Sequence, residues 1–439
     1  MIPVRRPAAA PDRVSLPDMS NRVVKILLAG IVAVILAGCG GSAGGGSPDG
    51  GAGENRTVHV VLPLDQDGDD IGDWRAGMAL ALEEFGSGNE GVRIEAVVQN
   101  DSKPNGEEDV SRARSAATAA VADPRALAVV GPASSSATAA AAPVLNRADM
   151  LEVVMSSTAV SLTIRDDANP GPPPDVAPTG RRTIVRVVPN DEVQARALVD
   201  YLREEGIRRA AVVDDGGRFG TGLASGVIAD ARGEAPLVER GGTSDRGSVA
   251  ALARRIAVEN APKPGRWALI LAVNDQEMAL RAAKAVQEVD SSAAIVGPDS
   301  LARRAFLAGV EAFERSTYLV SFELPARYYG PEGERVTEIL RGRLGREPGA
   351  GSLFAYEAMA LAISAIDEAY GVEGFRDKPL RSQRRAVADA ALKTRDRGSV
   401  IGTYSIGVTG DTSTTLFGAY RVEDGVLVRG RAVDTRDIE

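Results

Sequence analysis

Residues 126–138 read ALAVVGPASSSAT. Ala126 to Val130 is the short apolar run of a buried strand, Gly131-Pro132 breaks it, and Ser134, Ser135, Ser136 and Thr138 follow where a helix starts. Strands that turn into helices in this way are the units of parallel α/β architecture. The turn also marks where chemistry is to be sought, because ligands in open α/β sheets sit beyond the carboxyl ends of the strands.

The same alternation extends in both directions. Upstream, Thr57 to Leu64 is a buried-strand pattern, and Trp74, Met78, Leu82 and Phe85 then recur at helical spacing on one face. Val92, Ile94, Ala96 and Val98 alternate as a strand does, and Glu107 to Ala122 is a helix that stops before Pro124. Downstream, Leu151 to Met155 is a strand and the Pro/Gly-rich segment from Asp166 to Gly180 is a surface loop. Thr183 to Val188 opens a second series, with Asn190 as N-cap of a helix carrying Val193, Ala197 and Tyr201 and ending at Gly206. Strands at 210–213, 267–273 and 293–296 alternate with helices near 221–232, 248–260 and 275–289. A strand at 318–322, helices at 352–370 and 381–392, and strand-like segments at 401–408, 416–422 and 426–428 complete the chain, with Asp424-Gly425 as a hairpin turn. The 439 residues leave room for two core-bearing lobes.

The amino terminus reads as an address. From Met19 the sequence is MSNRVVKILLAGIVAVILAGC, with Arg22 and Lys25 ahead of the apolar stretch Ile26 to Leu36. This is a signal-peptide pattern with Met19 as the expected start, since residues 1–18 have the wrong composition to precede it. The apolar stretch falls short of the roughly 20 residues that a membrane-crossing helix needs. Leu36-Ala37-Gly38-Cys39 resembles the lipobox of bacterial lipoproteins, which implies a diacylglycerol anchor on the Cys39 thiol. Cys39 is the sole cysteine, so the fold has no intramolecular disulfide. The expected order is therefore a signal peptide over 1–38, a lipidated cysteine with a Gly/Ser tether over 39–56, and a folded body from Thr57. The formal G-x-S-x-G of Gly40 to Gly44 lies in the tether with no strand before it and no helix after, so a hydrolase elbow is excluded.

Composition narrows the function. A net charge of -9 without a basic stripe argues against a nucleic-acid partner. The single histidine, His59, lies between valines and reads as a partly buried strand residue, not a catalytic base. There is no His/Cys metal cluster and no G-x-x-x-x-G-K-[ST] loop, so neither metal, cofactor nor catalytic residue is expected.

Three strand-to-helix corners are candidates for binding. Ser135 and Ser136 sit at a helix start, where free N–H groups and the dipole favour an anion such as a carboxylate. Ser156 and Thr158, after the next strand, add hydroxyls beside them. Two readings stand: a carboxylate clamp, or N-caps worth about 1 kcal/mol each. Asp299, after Ile295-Val-Gly-Pro298, is either the partner of a ligand ammonium or an exposed N-cap of a helix beginning at Leu301. Phe219, in the loop after Asp214-Asp215, is placed to cover an apolar part of a ligand.

The segments VVGPASSSATAAAAPVLN, MSSTAVSLT, RVVPNDEVQARALVDYL, AAVVDDGGRFGTGL and LFAYEAMALAISAI, in this order and spacing, resemble the type 1 periplasmic-binding family, in particular the leucine/isoleucine/valine-binding proteins of ABC transporters. The resemblance covers Thr57 to the end. It implies a two-lobed clamshell of parallel-sheet sandwich lobes joined by three crossovers, near Arg186 to Asp191, Ser321 to Pro325 and Arg397 to Tyr404. Lobe 1 would hold 57–187 plus 322–398, and lobe 2 would hold 188–321 plus 399–439. The family's carboxylate-binding serine matches Ser135, its strand-end contacts match Ser156 and Thr158, its ammonium-binding acid matches Asp299, and its second-lobe aromatic matches Phe219. Phe219 stands where a tyrosine is frequent, Asn274 stands where an aromatic is frequent, and the loop from Leu64 to Gly72 is unusually acidic. The amino-acid class is thus kept while the branched-chain class is left open. The implied function is a non-enzymatic solute-binding lipoprotein on the outer face of the cell membrane, delivering an amino-acid-like ligand to ABC permease subunits. The rival is a ligand-sensing lipoprotein not coupled to transport.

Overall fold

Gly131 explains why the chain turns where it does. Its φ is +93°, and a Cβ there would lie 2.3 Å from the Val61 carbonyl oxygen, so the strand ends against its neighbour at a position only glycine can occupy. The computed structural model describes residues 54–434 apart from 67–69, 89–90, 105–107, 166–170, 233–236, 244–248, 350 and 429–431. The signal peptide, Cys39, the tether up to residue 53 and part of the acidic loop lie outside the described residues, whereas 54–56, expected in the tether, already belong to the first strand, paired with its neighbour.

The first run of elements is β1 (Glu54–Leu62), α1 (Asp70–Phe85), β2 (Val92–Asn100), α2 (Val110–Ala122), β3 (Ala126–Val130), α3 (Ser135–Arg147), β4 (Leu151–Val154) and β5 (Ile184–Arg186). These strands form an all-parallel sheet in the order β2-β1-β3-β4-β5. The second run is α4 (Asp191–Glu204), β6 (Arg209–Asp214), α5 (Arg218–Asp230), β7 (Leu237–Thr243), α6 (Val249–Asn260), β8 (Trp267–Ala272), α7 (Gln276–Gln287), β9 (Ala294–Gly297), α8 (Arg304–Gly309) and β10 (Thr317–Ser321). Then come α9 (Pro331–Leu344), α10 (Gly351–Tyr370), α11 (Leu380–Leu392), β11 (Arg397–Ser399), β12 (Gly402–Tyr404), β13 (Leu416–Glu423), β14 (Val426–Val428) and β15 (Ala432–Asp434). The second sheet runs β14-β13-β10-β9-β8-β6-β7, with β15 also on β13; β13 is antiparallel to β10 and to its own neighbours β14 and β15.

The chain is an α/β fold of two lobes, each a largely parallel sheet covered by helices. It passes between the sheets three times: after β5, after β10, and on the way from β12 to β13. The last passage follows Asp411, because the segment after the β11–β12 hairpin still bonds to the first lobe, with the Arg186 N–H donating to the Gly410 carbonyl at 2.9 Å. Strands buried on both faces, such as β3 and β8, read as unbroken apolar runs. Helix α10 is buried nearly all round and crosses the first lobe between α1 and α11. α1 approaches it so closely that a Cβ on Gly77 would fall 2.2 Å from the Ser352 carbonyl oxygen.

Helix α4 begins as its sequence dictates. The Asn190 side chain accepts from the N–H groups of Glu192 and Val193, and Gly206 follows its end with φ +66°. Asp424 and Gly425 both take positive φ in the β13–β14 turn. Several expectations are corrected. The helix expected from Leu301 is a 3₁₀ turn over Asp299–Leu301, with α8 starting only at Arg304. The strand expected over 401–408 narrows to β12, beyond which a single bridge joins Ile406 to Thr412. β7 and α9 were not legible, since LVERGGT alternates poorly and α9 buries only Gly333, Val336, Thr337 and Leu340. Phe85 ends α1 45% exposed, whereas Trp74 and Met78 are buried. The proline-rich segment has no strand or helix over 171–180, yet Val176 and Ala177 are buried and pin it down.

Candidate ligand-binding site between the lobes

The two hydroxyl clusters of the first lobe are stitched together. Ser134 caps α3 by accepting from the Ala137 N–H at 3.1 Å. The Ser135 hydroxyl accepts from the Ala159 N–H at 3.3 Å, Ser156 donates to the Ala133 carbonyl at 2.7 Å, and Ser157 shares a 2.8 Å bond with Thr138. Ser134, Ser157 and Thr138 therefore serve the corner itself. Ser136 and Ser156 remain half-buried beside it, with Ser135 and Thr158 more deeply enclosed.

The first turn of α4 carries the connection onward. The Asp191 N–H donates to the Thr158 carbonyl at 2.9 Å, and three residues on, Gln194 Nε2 donates to Asp299 Oδ1 at 2.6 Å and to the Val320 carbonyl at 3.3 Å. One helical turn thus joins the hydroxyls after β4 to the acid after β9, with Asp299 only 4% exposed instead of on the surface. Burial pushes the Asp299 carboxyl above its usual range, against the opposing pull of Gln194 and Arg303. Burial also lifts Asp191, to about 7; the neighbouring Asp299 adds to this, while the Thr158 hydroxyl and Arg186 work against it.

In the second lobe, Asp215 organises the loop after β6. It accepts from the N–H groups of Gly217 and Asn274, both at 2.9 Å, and so fixes where α5 starts and where Asn274 stands. Phe219, on the first turn of α5, is 7% exposed, while Asn274 is exposed. The preceding residue reaches the other lobe: Arg218 donates to the Ser161 hydroxyl at 3.0 Å and to Asp175 at 2.8 Å. On the opposite flank, Arg303 pairs with Glu323 at 3.1 Å and lies over the Trp74 ring with its guanidinium carbon 5.3 Å from the centroid.

Sequence reading missed Asp191, Gln194, Arg303, Glu323 and Trp74. Asp191 looked like an ordinary acid in a helix first turn, and Trp74 like one apolar position among four. The signal that was present in Asn190-Asp191 was read only as a cap. His59 is 4% exposed in β1, paired with Asp123 at 3.2 Å, and its imidazole is held below its usual pKa by burial, as expected of a strand residue. Among the described residues there is no group of His, Cys, Asp and Glu suited to a metal, and no helix long and apolar enough to cross a membrane.

Comparison with known proteins agrees with this geometry. The pattern of the periplasmic binding protein family matches residues 62–413. A Leu/Ile/Val-binding protein, BraC3 of Rhizobium johnstonii, is 25% identical over 304 residues, covering 68% of this chain and 74% of that protein. The leucine-binding protein LivK of Thermotoga maritima superposes with a TM-score of 0.71 at 18% identity, covering 87% of this chain and all (100%) of the other. LivJ of Streptococcus pneumoniae, solved with isoleucine, gives 0.68 at 18% identity over 87% and 100% of the two chains. The family consists of non-enzymatic ligand binders. With its two lobes, three passages and buried polar residues between them, this chain belongs to the periplasmic binding protein family, as a solute-binding protein of the ABC-transporter type.

Proposed function

We propose that the chain is an extracytoplasmic lipoprotein that captures an amino acid or related small polar ligand between its lobes and presents it to an ABC permease. Lobe 1 in this reading holds 57–187 plus 322 to about Asp411, later than the expected boundary at 398, lobe 2 holds 188–321 plus the chain beyond Asp411, and Cys39 carries the anchor to the membrane. The observation that carries the reading is the single turn of α4 that joins Thr158 to Asp299: it sets hydroxyls and a helix start on one side of the site and a buried carboxylate on the other. Such a pair complements the two ends of a zwitterion. Ser135, Ser136, Ser156 and Thr158 are assigned to the carboxylate, Asp299 to the ammonium, and Phe219 and Asn274 to the side-chain end. Closure is a shift of population toward the state with more ligand contacts.

The test is thermal unfolding of the purified chain with α-amino acids, short peptides, amides and sugars, since a ligand that binds only the folded state raises its melting temperature. Stabilisation by an α-amino acid that is lost in Ser135→Ala and in Asp299→Ala is the expected result. Stabilisation confined to ligands without an amino or carboxylate group overturns the assignment.

A further inference from the structure

The first turn of α4 holds more acceptors than the protein satisfies. Asp191 is 0% exposed, and apart from the pull of the Thr158 hydroxyl its two carboxylate oxygens have no well-aligned donor. Gln194 is equally buried; its amide nitrogen is committed to Asp299 and Val320, and its Oε1 is also without a donor. Residues three apart on a helix share a face, which places these three oxygens on the same side of α4. Buried acceptors left unpaired are costly, and a buried carboxylate without a partner more so.

The nearby cations are already engaged. Arg186, fully buried, sits 2.7 Å from Asp411 and donates to the Ser157 and Ala159 carbonyls and to Thr163. Arg303 pairs with Glu323. Asp191 and Asp299 are left as two carboxylates with no hydrogen-bonded cation between them. A zwitterion brings one ammonium, enough for Asp299. On the α5 side Asp191 faces a glycine: a Cβ on Gly222 would have Asp191 Oδ2 at 3.8 Å as its sole neighbour within 4 Å, so that side is kept clear.

We infer that Asp191 and Gln194 Oε1 form a second cation subsite, and that the preferred ligand is an amino acid with a cationic side chain, its distal ammonium or guanidinium at Asp191. An ammonium has three N–H donors for these three oxygens. This deepens the amino-acid reading above and rests on it for the position of the α-carboxylate, but the cation subsite itself is testable without it.

The test is calorimetric titration of the purified chain and its Asp191→Asn variant with lysine, arginine, norleucine and the carboxylate-free diamine cadaverine, with ligand-free melting curves to verify folding. Norleucine has the length of lysine without its charge. The expected result is at least tenfold tighter binding of lysine or arginine than of norleucine, the ratio falling toward one in Asp191→Asn. Equal binding of lysine and norleucine, or a preference that survives Asp191→Asn, overturns the inference and leaves the amino-acid reading intact. If no amino acid binds but cadaverine does, in an Asp191-dependent manner, the amino-acid reading falls and the cation subsite stands. If none of the four binds, both fall.

Discussion

Asp191 shows how far a single residue can depart from its local pattern. A helix first turn favours an acid, and the sequence reads no further than that; what the fold adds is complete burial next to Asp299, with Arg186 already committed to Asp411. The carboxyl is pushed up to about 7, so between its unfolded pKa near 4 and about 7 the folded ligand-free protein holds a proton that the unfolded chain has released. A group whose folded pKa is raised in this sense costs stability as pH climbs. Asp101, lifted to about 7 by burial beside Glu108, acts in the same direction, and His59, kept neutral by burial, acts in the opposite one. Comparing wild type with Asp191→Asn removes these shared terms. In urea unfolding of the ligand-free chain, Asp191→Asn should gain on wild type by roughly 1.4 kcal/mol for each pH unit from about 4 to 7, with no further gain above. A difference that stays flat across that range would mean the carboxylate is ionised in the fold throughout. The candidate residues after β3, β4 and β9 were legible because a strand end and a helix start are local patterns. Asp191 was not, because its character comes from Thr158 and Asp299, more than thirty and one hundred positions away along the chain.

At the scale of elements, the strands and helices with strong periodicity were legible, and those whose polar residues are satisfied at a distance were not. β3 and β8 are buried on all sides and α10 nearly so, and they announce themselves as apolar runs. The β11–β12 hairpin does not, since β11 is Arg397–Ser399 and owes its place to one buried acid in α10. Glu357, 1% exposed, receives Arg397 Nε at 2.6 Å and the Tyr404 hydroxyl at 2.7 Å, so the two strands of the hairpin are fastened to the same carboxylate. Read along α10, Glu357 is a charge set among apolar residues, ten positions before Asp367 and Glu368 near the helix end. Only the hairpin forty residues later explains it. Removing one partner of a buried pair strands the other charge, which generally costs roughly 3–5 kcal/mol. Arg397→Ala should therefore destabilise the chain by about 3 kcal/mol in urea unfolding, and Glu357→Gln added to it should restore part of the loss. If the double variant is as unstable as the sum of the two single ones, the residues are not coupled and the hairpin is held by other contacts.

The whole molecule is held shut by contacts that the sequence pattern does not disclose, because they join surfaces of different lobes. On one flank Arg218 of α5 reaches Ser161 and Asp175; on the other Arg304 of α8 reaches the Glu347 carbonyl at 3.2 Å and lies 3.5 Å from Asp73. Asp73 is fully buried and already held by Arg346 at 2.6 Å and by the Gly349 N–H at 2.7 Å, so α1 keeps its structure without Arg304. Both arginines thus contribute to closure more than to either lobe. Rigid rotation about the three passages breaks both contacts, whereas the stitching of Ser135 to Ala159 and of Ser156 to Ala133 stays within one lobe and survives. With both arginines partly solvent-accessible, and the buried Asp73 already paired with Arg346, each contact is worth roughly 0.2–1 kcal/mol. Arg218→Ala with Arg304→Ala should then weaken ligand binding by up to roughly 25-fold, the sum of two such terms converted at 1.4 kcal/mol per decade. Because capture begins from the open lobes, in which neither contact exists, the loss belongs in the dissociation rate, and stopped-flow mixing should show faster release with an unchanged association rate. Slower association with unchanged release would place the two arginines in the encounter with the ligand instead of in the closed state.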